Sequence, residues 1–220
     1  MIKSNCTKWL GLQDYAVMEQ QQKAWVPKLK GQSDLLLFGM EFSPVLTMGI
    51  RSQLQHDLLQ PRHVIEGLGL KWVLTDRGGQ VTVHSPGQLV IYPMLDLRVW
   101  NLGIRDFVAH LMRVSLRVLG SLGMQVHFDE ARPGLYTQRG KIGFCGLKVD
   151  QGVIRHGISI NVRNDLSLFA PVRSCGVREA QLDQVAAYSN LGPEELFKLW
   201  AEEFLKPFRL SVPINIGTKR

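Results

Sequence analysis

The sequence predicts an α+β fold, a mixed β-sheet covered by helices, and three observations carry that prediction. A 3.6-residue apolar period runs through residues 104–119. Short β-rich runs follow one another between residues 124 and 162. Helical segments lie between the β runs and at the end of the chain. A chain of 220 residues, 45% of them hydrophobic, can bury a full core. It contains no internal repeat, low-complexity tract or obvious linker, so residues 1–220 are expected to form a single domain.

Taken in order, a short segment at Trp9-Leu10 precedes a helix over residues 14–29, with Asp14 as its N-cap candidate and Pro27 close to its end. Residues 35–38 and 45–47 read as strands meeting at a turn over 41–44. A weaker helix covers 53–66 and is interrupted by Pro61. Residues 72–74 form a strand leading into a glycine-rich loop at 77–88, and residues 88–97 lead out of it. The clearest helix is 104–119, where Leu111, Met112, Ser115, Val118 and Leu119 share one face, a core stripe. Short β runs follow at 124–128, 134–137, 142–149 and 153–162, the last two joined by the hairpin signal Asp150-Gln151-Gly152. Residues 171–177 are irregular. Helices are expected at 181–189 and 193–205, the second with Pro193 at its start.

Composition excludes several function classes. No apolar leader segment and no run approaching 18 apolar residues is present, so neither a signal peptide nor a membrane span is expected. Three widely separated cysteines, Cys6, Cys145 and Cys175, argue against a disulfide framework and for a reducing, cytoplasmic setting. Six histidines are scattered without H-E-x-x-H or C-x-x-C spacing, so no metal is expected. The net charge of +7 favours an acidic partner. Its cations form no block and do not interleave with aromatics on one element, which speaks against nucleic acid.

The loop RGGQVTVHSPGQ, residues 77–88, draws attention to Ser85 as a nucleophile. A nucleophile elbow, however, needs a small residue two positions before the serine, a backbone N–H just after it and a helix beyond. Here Val83 stands before, Pro86 has no N–H, and the following residues are β-rich. Ser85 therefore fails as an elbow. The cysteines come forward instead. Cys145 lies in an apolar β run, where a thiol is usually an inert small hydrophobe. Cys175 lies in a polar, flexible stretch before an expected helix start and near cations, where a thiol pKa is lowered toward a reactive thiolate. Lys141 opens the glycine-flanked run GKIG, where an ammonium could favour a thiolate partner or shuttle protons.

Together, RGGQVTVHSPGQLVIYPMLDL (77–97), GKIGFCGLKV (140–149), IRHGISINV (154–162) and RSCGV (173–177) resemble the lipoyl(octanoyl) transferase family. That family shares its fold group with lipoate-protein and biotin-protein ligases. The four blocks occur in order and span most of residues 72–190; jointly they are specific, where any one alone would be weak. The resemblance implies a ligase-like catalytic domain that moves an octanoyl group in two steps, with no ATP, metal or other cofactor. Cys175 matches the family's nucleophile, which attacks the thioester of an octanoyl-acyl carrier protein. A lysine of a lipoyl domain of 2-oxoacid dehydrogenases, or of glycine-cleavage H protein, then takes the acyl group as an amide. Lys141 matches the lysine of the dyad. Acidic acyl carrier and lipoyl domains would suit the positive charge.

Carried over by block, Arg77, Gly78, Gly79, Gln80, Val81, Thr82, Val83 and His84 would line the acyl pocket. Phe144, Cys145 and Gly146 would form a second wall, and Gly157, Ile158 and Ser159 a third. The glycines would let backbone approach the acyl chain and aim N–H groups at the thioester carbonyl. Within the opening loop, Pro86 and Gly87 would set the turn. Four departures stand out: Ser85 for glycine, Ser174 for proline, Ser159 for alanine, and a bulky Phe144-Cys145 pair for smaller residues. A Ser85 at φ > 0 would carry strain that glycine avoids, and Phe144 would reshape the acyl slot. Two alternatives keep the fold: an ATP-dependent lipoate or biotin ligase, which would need an adenylate-binding loop and no cysteine nucleophile, and a non-catalytic binder of acyl carrier or lipoyl domains.

Overall fold

The computed structural model describes residues 5–129, 132–173 and 181–209. Among these, a seven-stranded sheet has the order β1 (Asn5–Gln13), β2 (Leu35–Phe42), β6 (Gln88–Met94), β10 (Val153–Asn161), β9 (Gly140–Asp150), β8 (Gly134–Thr137) and β7 (His127–Asp129). A three-stranded sheet has the order β4 (Lys71–Leu74), β3 (Val45–Met48) and β5 (Val81–His84). Each sheet holds one parallel pair, β1 with β2 and β3 with β4; all other pairs are antiparallel. Parallel neighbours need a crossover. Helix α1 (Tyr15–Leu29) supplies the first, and the short helices α2 (Leu54–Asp57) and α3 (Arg62–Gly67) supply the second. With α4 (Ile104–Ser121) and α5 (Pro193–Arg209) added, this is the expected α+β arrangement, a mixed sheet covered by helices.

Side-chain alternation divides the core. Leu35, Leu37, Leu89 and Ile91 point to one face of the large sheet, where they meet the α4 stripe and the aromatic face of α5 around Trp200 and Phe204. Leu36, Phe38, Val90, Tyr92 and Met94 point to the other face, toward Tyr15, Met18, Val26 and Leu29 of α1. Trp200 donates its indole N–H to Ser115 Oγ at 2.9 Å, which satisfies the one polar atom of a fully buried ring and ties α5 to α4. Asp14 caps α1 by accepting from the backbone N–H groups of Ala16 and Val17. Gln151 and Gly152 both adopt positive φ, 51° and 93°, and close the β9–β10 hairpin in the tight turn that its sequence suggests.

Four expectations differ from the structure. Residues 35–38 and 45–47 do not pair with each other, because the chain leaves the large sheet after Phe42 and enters the small one at Val45. The N-terminal segment is longer than Trp9-Leu10; it is a full edge strand whose register shifts between Trp9 and Leu12, a bulge that hides its alternation. A third of the expected loop 77–88 is strand β5, buried on both sides. The helix expected over 181–189 shrinks to a 3₁₀ turn at Val185–Ala187. Residues 181–183 instead run extended beside β9, with Lys141 N–H donating to Gln181 O and Asp183 N–H to Lys141 O.

Candidate active site

A cavity with about 530 Å³ of empty space, its open mouth included, lies between β5 and the large-sheet face made by β6, β9 and β10. Thirteen of the sequence-predicted residues line it: Arg77, Gly79, Gln80, Val81, Thr82 and His84 on one side, and Lys141, Phe144, Cys145, Gly146, Gly157, Ile158 and Ser159 on the other. Two do not. Val83 packs with Leu46 in the core of the small sheet. Gly78 is taken up by contact with β9, its N–H donating to Leu147 O at 3.0 Å. Cys175, with Ser174, lies outside the described residues.

Arg77 is a clamp. Its guanidinium donates to Thr47 O and Oγ1, Gly78 O and Gln80 O, so one buried cation fixes the loop before β5 against β3. His84 donates from Nδ1 to Gln88 Oε1 at 2.6 Å, because Gln88 spends its own amide N–H on Asn161 Oδ1. The chain of partners sets the tautomer and leaves His84 Nε2 as an acceptor. Burial holds the His84 pKa down at about 3, so the ring is neutral.

Lys141 is 1% exposed on β9. Its ammonium donates to Pro133 O at 3.3 Å and sits 4.7 Å from the centre of the Phe144 ring, a cation–π contact. Phe144 in turn stacks on Phe169 at 5.5 Å. Cys145, next along the strand and half-buried, is held away from the thiolate form that a nucleophile needs. Burial pushes its thiol up to about 12, against the opposing pull of the Lys141 charge.

Residues that the sequence did not single out complete the walls. Val90 and Tyr92 come from β6, Pro133 from the turn before β8, and His156 from β10. His156 has φ +59°, unusual for a residue with a side chain. By register it falls opposite Pro93, which has no N–H to give a ladder, and its own N–H goes instead to Gln22 Oε1 of α1. Its Nε2 donates to Asp76 Oδ1 at 3.1 Å, while its Nδ1 is buried with no partner among the described residues. Burial lowers its pKa to about 4. Burial would raise the Asp76 carboxyl, but hydrogen bonds from Arg155 and His156 outweigh that and hold it at about 2. The signal for His156 was present in the sequence, as a histidine before glycine inside an apolar β run. Asp76 carried none.

Glu19, Asp76 and His156 bring ligand-type atoms within 4.8 Å of one another. These atoms are already engaged. Asp76 pairs with Arg155 and His156, and Glu19 accepts from the Thr75 hydroxyl at 2.8 Å.

Solved structures place this fold, with its cavity between two sheets, in the lipoate- and biotin-ligase fold class. A lipoate-protein ligase A bound with ATP superposes with a TM-score of 0.77 at 14% identity, covering 95% of this chain and 86% of its own. The biotin acetyl coenzyme A carboxylase synthetase of Helicobacter pylori superposes with a TM-score of 0.51 at 13% identity, covering 91% and 74%. Residues 12–205 match the family described as the lipoyl protein ligase A/B catalytic domain, and the chain belongs to that family. A Legionella pneumophila protein named octanoyltransferase is 36% identical over 201 residues, 91% of this chain and 98% of its own.

Proposed function

We propose that this chain is an octanoyltransferase of protein lipoylation, a single catalytic domain that carries the acyl group on Cys175. In the first step the Cys175 thiolate attacks the thioester carbonyl of octanoyl-acyl carrier protein. A new C–S bond forms, the carrier's C–S bond breaks, and the departing carrier thiolate takes a proton from Lys141. In the second step the amine of a lipoyl-domain lysine attacks the enzyme thioester. The C–N bond forms, Cys175 leaves as thiolate, and the surplus proton of the amine returns to Lys141. No cofactor enters either step. The wide separation and odd number of cysteines favour a reducing compartment, and we assign the reaction to the cytoplasm.

The observation that carries this reading is how the chain on either side of Cys175 is tied to the cavity. Downstream, residues 181–183 are hydrogen-bonded to the backbone of Lys141. Upstream, Arg173 N–H donates to Asp57 O at 2.7 Å, and the Asp57 carboxylate holds Gln80 of the cavity wall. A thiolate exchanges readily with a thioester, and an amide lies downhill from it. Family membership and the names of the relatives point the same way. An intact-mass measurement tests it. Incubation with octanoyl-acyl carrier protein should add one octanoyl group that hydroxylamine removes. Cys175→Ser should abolish the labile adduct, and Lys141→Ala should slow its formation. A protein that stays unmodified, or that instead forms an adenylate from ATP and octanoate, would overturn the reading.

A further inference from the structure

Asp57, in the last turn of α2, is 1% exposed, yet none of its hydrogen-bond partners among the described residues carries a charge. Its Oδ2 accepts from the backbone N–H of Gln53 at 2.9 Å, and its Oδ1 from Gln80 Nε2 at 3.1 Å. A buried carboxylate with neutral partners is costly, and it persists where its position matters. Two features give that position meaning. The Gln80 carbonyl is fixed by Arg77 at 2.7 Å, whereas the Gln80 side chain is oriented by Asp57 within the cavity wall. Residues 57–59 also form a short ladder with residues 171–173: Arg173 N–H to Asp57 O, a bridge between Leu58 and Val172, and Leu59 N–H to Pro171 O at 2.8 Å.

We propose that Asp57 is a positioning residue, which locks the Gln80 amide in the cavity wall and couples that wall to the strand entering the Cys175 block two residues later. This rests on the acyl-thioester reading above. With its Nε2 given to Asp57, Gln80 has its carbonyl Oε1 left to accept from an amide N–H of the incoming acyl donor. A mobile Gln80 would weaken donor binding before it slowed the chemistry.

Asp57→Ser shortens the side chain by one bond and removes the acceptor for Gln80 Nε2, and a separate Tm measurement reads any loss of α2 capping. Single-turnover octanoylation of Cys175 would be followed by intact mass for wild type, Asp57→Ser, Asp57→Asn, Gln80→Ala and the Asp57→Ser/Gln80→Ala double variant. The expected result is a rise of about tenfold in the half-saturating donor concentration for Asp57→Ser and for Gln80→Ala, the size of one lost hydrogen bond to a charged group. The maximal rate should change less, Asp57→Asn, which keeps one acceptor oxygen for the two donors, should lose less than Asp57→Ser, and the double variant should be no worse than the worse single one. Losses that multiply in the double variant, or an Asp57→Ser protein with wild-type kinetics and only a lower Tm, would overturn the proposal. Calorimetric binding of S-octyl-N-acetylcysteamine, a thioether that keeps the donor's amide N–H and cannot be transferred, gives a second readout independent of turnover. If wild type binds it and Asp57→Ser binds it equally well, the positioning role fails even where octanoylation is absent. If wild type binds but is never octanoylated while Asp57→Ser binds about tenfold more weakly, the acyl-thioester reading alone fails.

Discussion

Ser85 stands where the family pattern has glycine, and its backbone needs none. Among the described residues only Asn101, Gln151 and His156 combine a side chain with positive φ. Residues 85–88 form a turn closed by Gln88 N–H to Ser85 O at 3.1 Å, with Pro86 second and Gly87 third at φ +88°. That is a type II turn, in which the third position requires positive φ and the first does not. The strain expected at Ser85 is therefore absent. What the serine does leave is a buried hydroxyl with no partner among the described residues. Ser85→Ala removes that unpaired group without adding backbone freedom, so it should stabilise the fold by about 1 kcal/mol, read as a higher urea midpoint at unchanged slope. A lower midpoint would mean that the hydroxyl has a partner in solution.

At the scale of the element, strand β10 shows how the cavity is made. Its ladder with β6 runs from Asn161 to Ile158 and lapses at His156 and Gly157, then resumes with Ile154 N–H to Leu95 O at 2.9 Å. In the gap the chain comes so close to β6 that a Cβ on Gly157 would lie 1.9 Å from Ile91 O. Backbone cannot yield as a flexible side chain can. Gly157→Ala should therefore push two central strands apart and cost more than about 3 kcal/mol, which is exceptional for a single methyl. Thermal unfolding checks this, and a Tm within a few degrees of wild type would contradict it. The same strand was legible in the sequence as a β run, and so was its hairpin to β9. Its break was not, because His156 is forced out of the ladder by Pro93 on a neighbouring strand. Strand β5 was half legible: V-T-V-H alternates, but glycines and a proline on either side made the stretch read as a loop.

For the whole molecule, burial of the site has a consequence in pH. His84 and His156 are neutral in the folded state down to about pH 3 and 4, whereas in the unfolded chain each takes up a proton near 6.5. Between those limits the unfolded state binds more protons, so stability is full above about 6.5 and falls as the pH drops toward 4. Asp76, held at about 2 against 3.8, adds a second loss as the pH falls from 3.8 toward 2. Unfolding free energies from urea titrations between pH 8 and 4 should be level at first and then decline by a few kcal/mol in all. A level midpoint down to pH 4.5 would mean that the two imidazoles are not buried neutral.

The sequence by itself determined the α+β class, most helices and strands, and thirteen residues that meet in one cavity. It could do so because apolar period, turn chemistry and short motifs are local properties, readable within a few residues. The tertiary structure alone decided that residues 45–48 and 81–84 belong to a second sheet, that residues 181–183 run extended beside Lys141, and that Asp57 and Asp76, from segments without any motif, hydrogen-bond to the cavity residues Gln80 and His156. In each of these places a hydrogen-bonding group is satisfied by a partner distant in the chain. Which distant partner meets it depends on how the sheets stack, and no local pattern carries that information.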